Sequence, residues 1–284
     1  MEAPRTRRRG DGSPSARSLL LTLLGEYVRY PGHERVWASA AVAALGSCGV
    51  REPATRRALA RLAEEGWLRT ESVGRRAQVV LEPRLVALLT AWTRRLERAV
   101  EETPWRGTWQ QLLLRGPAQS HSLLAEQLAF EGFGPLGQGV WIAADTGGVP
   151  ALKALLREQG LAPHVTWLTS RTEDASADAE LVSRAWDLAA VRAAHEDFLR
   201  RFAEAEVAAE VAAVASGDEE AFVLRTRLVH AWRGTFARDP RLPAALLPEG
   251  WPGDAATRRF VTTWRALRDP ADRHWAALTG TPDR

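Results

Sequence analysis

The sequence contains very few cysteines and lysines and no long apolar run, and each shortage excludes a class of protein. Cys48 is the single cysteine, so the chain holds neither a disulfide framework nor a cysteine cluster for zinc. No apolar run approaches the roughly 18 residues needed to cross a bilayer. Cys48 lies in an alanine-rich segment, which is typical of a small buried side chain in a reducing compartment. We therefore expect a cytoplasmic protein with no membrane partner.

The basic residues are almost all arginine, and their charge is distributed unevenly. Lys153 is the one lysine among 38 basic residues. Residues 1–99 carry 18 basic and 10 acidic side chains, a net charge of +8, whereas residues 100–284 have a net charge of −5. This asymmetry predicts a front part that binds a polyanion and a body that regulates or dimerises. The alternative is an arginine-rich composition concentrated by chance.

Composition also predicts where the chain divides. Residues 7–9 and the apolar stretch 19–24 could imitate a secretory signal, but Gly25 and Glu26 end that stretch too early. The better prediction is a flexible basic arm over residues 1–16. A Glu-Glu-Thr-Pro sequence at 101–104 and a polar run at 170–178 mark two further boundaries. They define domains at 17–100, 105–175 and 178–284.

The first of these domains has the pattern of a winged helix-turn-helix. Ser15 precedes a helical stripe that runs from Leu20 to Val28, and a second helix over 38–47 is followed by a turn at Gly49. A third helix begins near Pro53, buries Thr55, Ala58, Leu59 and Leu62, and stops at Gly66. Two strands, 67–73 and 77–81, then flank a Gly-Arg-Arg tip and predict a wing.

Six arginines of this domain are the predicted contacts with double-stranded DNA. A third helix of this kind lies in the major groove, and a wing tip reaches the neighbouring backbone. We expect Arg51, Arg56 and Arg57 to approach bases, where an arginine can bind guanine bidentately. We expect the other three, Arg61, Arg75 and Arg76, to contact phosphates. Arg61 has an alternative, an ion pair with Glu64 or Glu65 on its own helix.

The rest of the chain contains no catalytic or metal-binding motif. Strands and helices alternate between residues 109 and 169 and predict a small α+β layer. A strongly helical region over 179–210 follows, then a helix over about 218–236 and a last helix from 254 to about 267. The glycine-rich stretch 132–137 ends a helix and leads into a strand, the reverse of a phosphate-binding loop. The six histidines form no ligand pair, and no nucleophile elbow or Walker sequence appears. We therefore expect neither an enzyme nor a cofactor or metal site.

Several segments resemble the PaaX-type repressors of phenylacetic acid degradation. The similarity spans residues 17 to about 275 and is most specific in a proline- and tryptophan-rich segment near the C-terminus. The stretches that carry it are 20–28, 49–52 with Arg56 and 59–62, 66–68, 73–76, Gly139-Val140-Trp141-Ile142, Ala185-Trp186-Asp187-Leu188, Asp239-Pro240 with Leu242-Pro243, and Leu246-Leu247-Pro248-Glu249-Gly250-Trp251-Pro252-Gly253. The resemblance implies an α+β chain: an N-terminal winged helix-turn-helix, a middle Cas2-like, ferredoxin-like domain and a helical C-terminal domain for effector binding and dimerisation.

The same resemblance implies a function, and this sequence differs from the family pattern in two places. It implies a transcriptional repressor that binds a palindromic operator as a homodimer and is released by an aryl- or acyl-CoA thioester such as phenylacetyl-CoA. Arg51 and Arg57 stand where the family has small polar residues, so the operator is expected to differ. The first strand of the middle domain ends with Leu113-Leu114-Arg115 and lacks the aspartate through which Cas2-like nucleases bind metal. The alternatives are such a metal-dependent nuclease with a DNA-docking domain, or an architectural DNA-binding protein without a ligand.

Overall fold

The structure is a computed structural model that describes residues 14–98, 105–144, 147–204, 217–237 and 239–280. Residues 1–13 of the predicted basic arm lie outside the described residues. The helices, in chain order, are α1 (Ala16–Leu23), α2 (Ala38–Ser47), α3 (Glu52–Glu64), α4 (Pro83–Arg98), α5 (Ser122–Phe130), α6 (Val149–Glu158), α7 (Ala175–Ala185), α8 (Leu188–Arg201), α9 (Asp218–Phe236), α10 (Gly253–Ala266) and α11 (Arg268–Thr279). The strands are β1 (Arg35–Trp37), β2 (Leu68–Val73), β3 (Arg76–Leu81), β4 (Trp109–Leu114), β5 (Gly134–Gly137), β6 (Val140–Ala143) and β7 (Val165–Ser170).

The chain folds into two compact units, each assembled from separate stretches of sequence. The winged unit contains residues 3–100, 199–233 and 257–284. The sheet unit contains residues 1–2, 101–198 and 234–256. Helices that the sequence assigns to one C-terminal domain are thus divided between the two units.

The first part of the winged unit has the element order predicted for a winged helix-turn-helix. The Ser15 side chain caps α1 by accepting a hydrogen bond from the backbone N–H of Ser18, and a π-helical segment, Leu24–Arg29, continues the helix. The helix predicted at 38–47 is confirmed. β1 was not predicted because it has only three residues, and it pairs antiparallel with β3 to complete a sheet of order β1-β3-β2.

Three further helices complete the winged unit. α9 and α11 place aromatic rings around the buried Tyr27, whose ring centroid lies 4.7 Å from that of Phe222 and 5.4 Å from that of Trp275. The buried Trp232 of α9 stacks on Phe260 of α10 at 4.8 Å. The sequence predicts the last helix to end near residue 267 and misses α11. That helix has Pro270 in its first turn, where proline is tolerated.

The sheet unit is built on the order βαββαβ. Its antiparallel strands lie in the order β5-β6-β4-β7, which is the ferredoxin-like arrangement implied by the resemblance. Leu112 and Leu114 of β4 share one buried cluster with residues of α5 and α6. The prediction for residues 132–137 is wrong in one respect, because Gly134–Gly137 forms the strand β5. Glycine and proline rarely form strands, so propensity gave no signal for it.

Two helices and a proline-rich segment complete the sheet unit. The region predicted to be strongly helical over 179–210 is helical over most of its described part, in two helices, α7 and α8. Trp186 has an extended backbone between them, and the Asp187 carboxylate accepts a hydrogen bond from the Ala190 N–H at 3.0 Å, which begins α8. Residues 205–210 of that prediction lie outside the described residues. The buried His195 of α8 makes a 2.9 Å hydrogen bond to Asp239, which anchors the proline-rich segment.

Candidate nucleic-acid interface

The third helix, α3, separates its apolar and basic residues onto two faces. Proline stands in its first turn, where its missing N–H costs no hydrogen bond. Thr55, Ala58, Leu59 and Leu62 are buried, as predicted, and α3 packs on α1 and α2. At 3.6 residues per turn, this stripe leaves positions 56, 57, 60 and 61 on the opposite side. The structure accordingly exposes the arginines at 56, 57 and 61 to solvent, with Arg51 at the N-cap also exposed.

The exposed arginines of α3 differ in their partners. The Arg56 Nε donates a 2.7 Å hydrogen bond to Glu52, one helical turn earlier, and both side chains are more than half exposed. Such a surface pair is weak and exchanges readily for a phosphate. Within the described part of the chain, Arg51, Arg57 and Arg61 pair with no carboxylate. Their charge is therefore available to an external anion.

Glu65, one of the two alternative partners predicted for Arg61, binds a different arginine. It accepts two hydrogen bonds, at 2.5 Å each, from the guanidinium of Arg17 on α1. These bonds hold the pKa of the Glu65 carboxyl below its ordinary value. Arg61 and Glu64 form no ion pair among the residues that the structure describes. Arg61 thus remains exposed beside the other arginines of α3.

The wing is a regular hairpin with a basic tip. β2 and β3 pair from Leu68 opposite Leu81 to Val73 opposite Arg76, which leaves a two-residue turn of Gly74 and Arg75. Gly74 has a φ of +60°, a left-handed conformation that glycine adopts without steric cost. Arg75 is exposed at this turn and pairs with no carboxylate in the described ranges.

Arg76 is held at the base of the tip by a residue that the sequence reasoning missed. Its guanidinium carbon lies 4.0 Å from the ring centroid of Trp37, the last residue of β1. This cation–π contact restrains the arginine while leaving it exposed to solvent. The tryptophan beside a short apolar stretch was visible in the sequence, but its pairing with β3 was not. Trp37 therefore positions one of the six predicted arginines.

Other arginines of the wing are neutralised by acids. Arg69 donates hydrogen bonds to Glu71 at 2.8 Å and to Glu82 at 3.0 Å, and Arg35 donates to Glu71 at 2.6 Å. The hydrogen bonds from Arg35 and Arg69 hold the pKa of the Glu71 carboxyl below its ordinary value. Arg84 lies outside the wing, at the start of α4, where it stacks over Trp67 at 4.0 Å and donates to the Gly66 carbonyl oxygen. The positive charge of the wing is therefore concentrated at its tip.

Comparison with known proteins identifies the family. The chain is 30% identical over 263 residues to "Transcriptional repressor PaaX" of Escherichia coli (strain K12), a match that covers 90% of this chain and 82% of that protein. The chain belongs to the PaaX family. Family models match three segments of it: a PaaX-like protein model at 15–82, the PaaX protein central Cas2-like domain at 102–182 and the PaaX-like protein C-terminal domain at 186–277.

A solved structure also resembles this PaaX-family chain. The uncharacterized protein Rv0674 from Mycobacterium tuberculosis matches it with a TM-score of 0.54 and 26% sequence identity. The match covers 91% of this chain and 98% of that one. The similarity therefore extends over nearly the whole α+β architecture, including the Cas2-like middle domain and the helical C-terminal part.

In this PaaX-family chain the first helix of the winged part is fixed by a buried ion pair. The Glu26 carboxylate accepts hydrogen bonds from the Arg225 guanidinium at 2.6 and 2.9 Å and from the Trp264 indole N–H at 2.7 Å. Both charged side chains are at most 4% exposed. An acid inside the apolar stripe between Leu23 and Tyr27 was the one sequence signal for this site. Its partner stands 199 residues away and gave no signal.

A second polar contact joins the same elements. The Arg233 guanidinium of α9 donates a 3.1 Å hydrogen bond to Thr22 and lies 4.9 Å from the ring centroid of Trp92. Burial lowers the pKa of Arg233 to about 10, still well above neutral pH, so that the arginine remains charged. Together with the Glu26–Arg225 pair, this contact makes α1 and α9 parts of one packed body.

Three further observations concern metal binding and the membrane. Among the residues that the structure describes, no group of three His, Cys, Asp or Glu side chains is arranged to hold a metal ion. β4 ends at Leu114, and the next residue is the exposed Arg115. In the same residues, no helix combines the length and the apolar character required to cross a bilayer.

Proposed function

We propose that this PaaX-family chain is a cytoplasmic transcriptional repressor that binds a palindromic DNA operator as a homodimer and is released by an aryl- or acyl-CoA thioester. The observation that carries the proposal is the basic surface of α3 and the wing tip. Its arginines are exposed, and within the described residues Arg51, Arg57, Arg61 and Arg75 pair with no carboxylate. The similarity to a protein named as a transcriptional repressor supports the same function.

The six arginines divide into two roles in this proposal. Arg51, Arg56 and Arg57, at the start of α3, approach base edges in the major groove, where one good bidentate pair discriminates between bases by about 1–3 kcal/mol. Arg61, Arg75 and Arg76 bind phosphates, which fix the register of the protein without reading sequence. The contact of Arg76 with Trp37 supports a backbone role, because it restrains the side chain at the base of the wing.

The proposed homodimer matches the proposed palindromic operator. A palindrome offers two equivalent half-sites about one helical turn apart, and a twofold dimer presents one α3 to each. Two copies contribute twice the positive charge, so affinity depends steeply on salt. The acidic remainder of the chain, with its net charge of −5 over residues 100–284, is less suited to contact with DNA than the basic front part.

The test is operator binding by purified protein. Selection from a random duplex library supplies a binding sequence, and fluorescence anisotropy with that duplex then gives Kd at several salt concentrations. The double variant Arg57→Ala with Arg61→Ala should reduce the slope of log K against log salt by about 1 for each arginine–phosphate interaction that it removes. The matched control is Arg258→Ala with Arg265→Ala, two exposed arginines of α10.

The outcomes separate the proposal from its alternatives. Loss of affinity in the α3 variant and not in the α10 variant supports the repressor. Equal DNA affinity of the α3 and α10 variants would overturn the repressor proposal. Cleavage of the duplex in the presence of Mg²⁺ or Mn²⁺ would favour the Cas2-like nuclease instead. Operator binding that no CoA thioester weakens would favour the architectural protein.

A further inference from the structure

The sheet unit contains a cleft that the DNA-binding surface does not use. It has a volume of about 910 Å³ and is lined by α7, the α7–α8 junction and the segment 245–248, with Trp105 at one side. Pockets of about 300 to 1,000 Å³ accommodate small organic ligands and cofactors. The cleft is therefore large enough for an organic ligand well beyond a single ring.

Aromatic and aliphatic side chains make the floor of the cleft apolar. Trp105 meets the buried Trp109 edge to face at 5.1 Å, and Trp109 stacks on Trp186 at 6.2 Å. Leu246 and Leu247 pack against the same cluster and are only partly buried. The indoles of Trp105 and Trp186 and the side chains of Leu246 and Leu247 line the cleft, and the buried Trp109 contacts both indoles. These lining groups offer apolar surface to a ring or an acyl chain.

Ser183, Asp187 and Asp178, which line the cleft, already have hydrogen-bond partners within the protein. Ser183 donates to the Glu180 carbonyl oxygen at 2.9 Å, and Asp187 accepts from the Ala190 N–H at 3.0 Å. Asp178 accepts a 2.7 Å hydrogen bond from the Trp109 indole N–H and a 2.6 Å hydrogen bond from the Thr172 hydroxyl. This carboxylate therefore fixes the central indole and has less capacity to bind a ligand. Trp109 in turn holds Trp186 in its stacked position. The apolar walls are thus rigid before any ligand binds, which favours affinity.

The rim of the cleft supplies a cation. The Arg184 side chain is 57% exposed, and its acidic neighbour Glu180 is 3.8 Å away and 71% exposed. A pair with this geometry is weak and leaves the guanidinium able to bind a carboxylate, thioester or phosphate oxygen. An apolar floor with one arginine at its edge is suited to an amphipathic anion.

The cleft also brings together two segments that lie far apart in the sequence. Ala185-Trp186-Asp187-Leu188 and the start of the proline- and tryptophan-rich segment, 246–248, both line it. These are two of the stretches that carry the resemblance to the PaaX family. Their meeting in one cleft gives them a shared role that neither segment indicates alone.

We propose that this cleft is the effector site, with the aryl or acyl group between Trp186 and Leu247 and the anionic part of the ligand at Arg184. The inference rests on the proposed function, since it gives the releasing ligand a place. The shared ligand chemistry is an apolar acyl or arylacetyl group on an anionic carrier. Either a CoA thioester or the free acid carries that chemistry, and the experiment distinguishes them.

The test fills the cleft and measures binding directly. Isothermal titration calorimetry with phenylacetyl-CoA, phenylacetate and CoA alone is performed on the full chain and on Ala245→Trp, which places an indole among the lining residues. The matched control is Ala193→Trp, an exposed position of α8 that does not line the cleft. We expect Ala245→Trp to raise the Kd of the ligand at least tenfold and Arg184→Gln to raise it about threefold to tenfold. Ala193→Trp should leave the Kd unchanged.

Operator binding without ligand, measured on the same proteins, separates the two proposals. If the unmodified chain binds DNA and a ligand, but Ala245→Trp binds the ligand equally well, the cleft assignment is wrong and the repressor function stands. If no probe binds the unmodified chain while DNA does, the cleft assignment is again overturned. If DNA does not bind, the proposed function fails whatever the cleft does. Ligand binding that only the cleft variants weaken supports the assignment.

Discussion

The buried pair of Glu26 and Arg225 gives a quantitative prediction about the winged unit. Arg225→Met removes the cation and leaves the Glu26 carboxylate buried, with the Trp264 indole N–H still donating to it. Breaking a buried pair in this way costs about 3–5 kcal/mol, because a charge remains without compensation. The same substitution at Arg227, an exposed arginine two residues along α9, should cost very little.

The loss should be visible in thermal unfolding. The winged unit has about 160 residues, and for a domain of this size 1 kcal/mol corresponds to about 2–4 °C in Tm. Circular dichroism should therefore show a decrease of about 6–20 °C for Arg225→Met and less than about 3 °C for Arg227→Met. Because α1 and α9 share the ion pair, the variant should also bind operator DNA poorly near its lower Tm.

A double variant distinguishes the ion pair from simple packing. Replacing both partners, in Glu26→Leu with Arg225→Met, removes the uncompensated charge and should recover much of the stability. The free energy of unfolding from urea titration then gives a coupling energy of at least about 2 kcal/mol. A double variant whose loss equals the sum of the two single losses would refute the reasoning. So would a single variant no less stable than Arg227→Met.

Three further predictions concern single residues. Trp37→Leu removes the ring that Arg76 contacts and should weaken operator binding by about twofold to fivefold, which is about 0.5–1 kcal/mol. Its Tm should change by no more than a few degrees. An operator Kd from anisotropy equal to that of the unmodified chain would show that the contact does not position the wing. Burial raises the pKa of the Cys48 thiol to about 11. A thiol reagent at pH 8 should therefore label Cys48 in urea and hardly at all in the native protein. Rapid labelling of the native protein would contradict the burial of Cys48. Gly134→Ala would place a Cβ 2.6 Å from a ring atom of Trp186, and scanning calorimetry should show a decrease of about 1–3 kcal/mol in the free energy of unfolding. A Tm equal to that of the unmodified chain would show that α7 moves aside at no cost.

The elements predicted well from sequence are those whose pattern is local. The apolar spacing of α3 indicated its buried stripe, and from that stripe the exposed positions of Arg56, Arg57 and Arg61 followed directly. The Ser15 cap and the bounds of α2 were likewise encoded in a few adjacent residues. In each case the helix period alone decides which side chains face inward.

The elements that were missed depend on distant residues. β1 is a strand because residues 35–37 pair with β3, more than 40 positions later. β5 is a strand because β6 offers it hydrogen bonds, although Gly-Pro-Leu-Gly has little strand propensity. The Glu26–Arg225 pair spans 199 residues, and one sequence holds no pattern that couples them. Local propensity is overruled wherever tertiary pairing satisfies the backbone or a buried charge.

The acids, rather than the number of arginines, determine where this chain is positive. Arg17, Arg35 and Arg69 bind Glu65, Glu71 and Glu82, so a large part of the arginine content of the winged unit cancels locally. The weak pair of Arg56 with Glu52 is at the surface, where a phosphate competes with the carboxylate. On α3 and at the wing tip, by contrast, Arg57, Arg61 and Arg75 remain exposed and uncancelled. A net charge of +8 over the first 99 residues is thus too coarse a measure, because it counts paired and unpaired arginines alike. The salt dependence of DNA binding should follow the unpaired arginines of α3 and the wing tip.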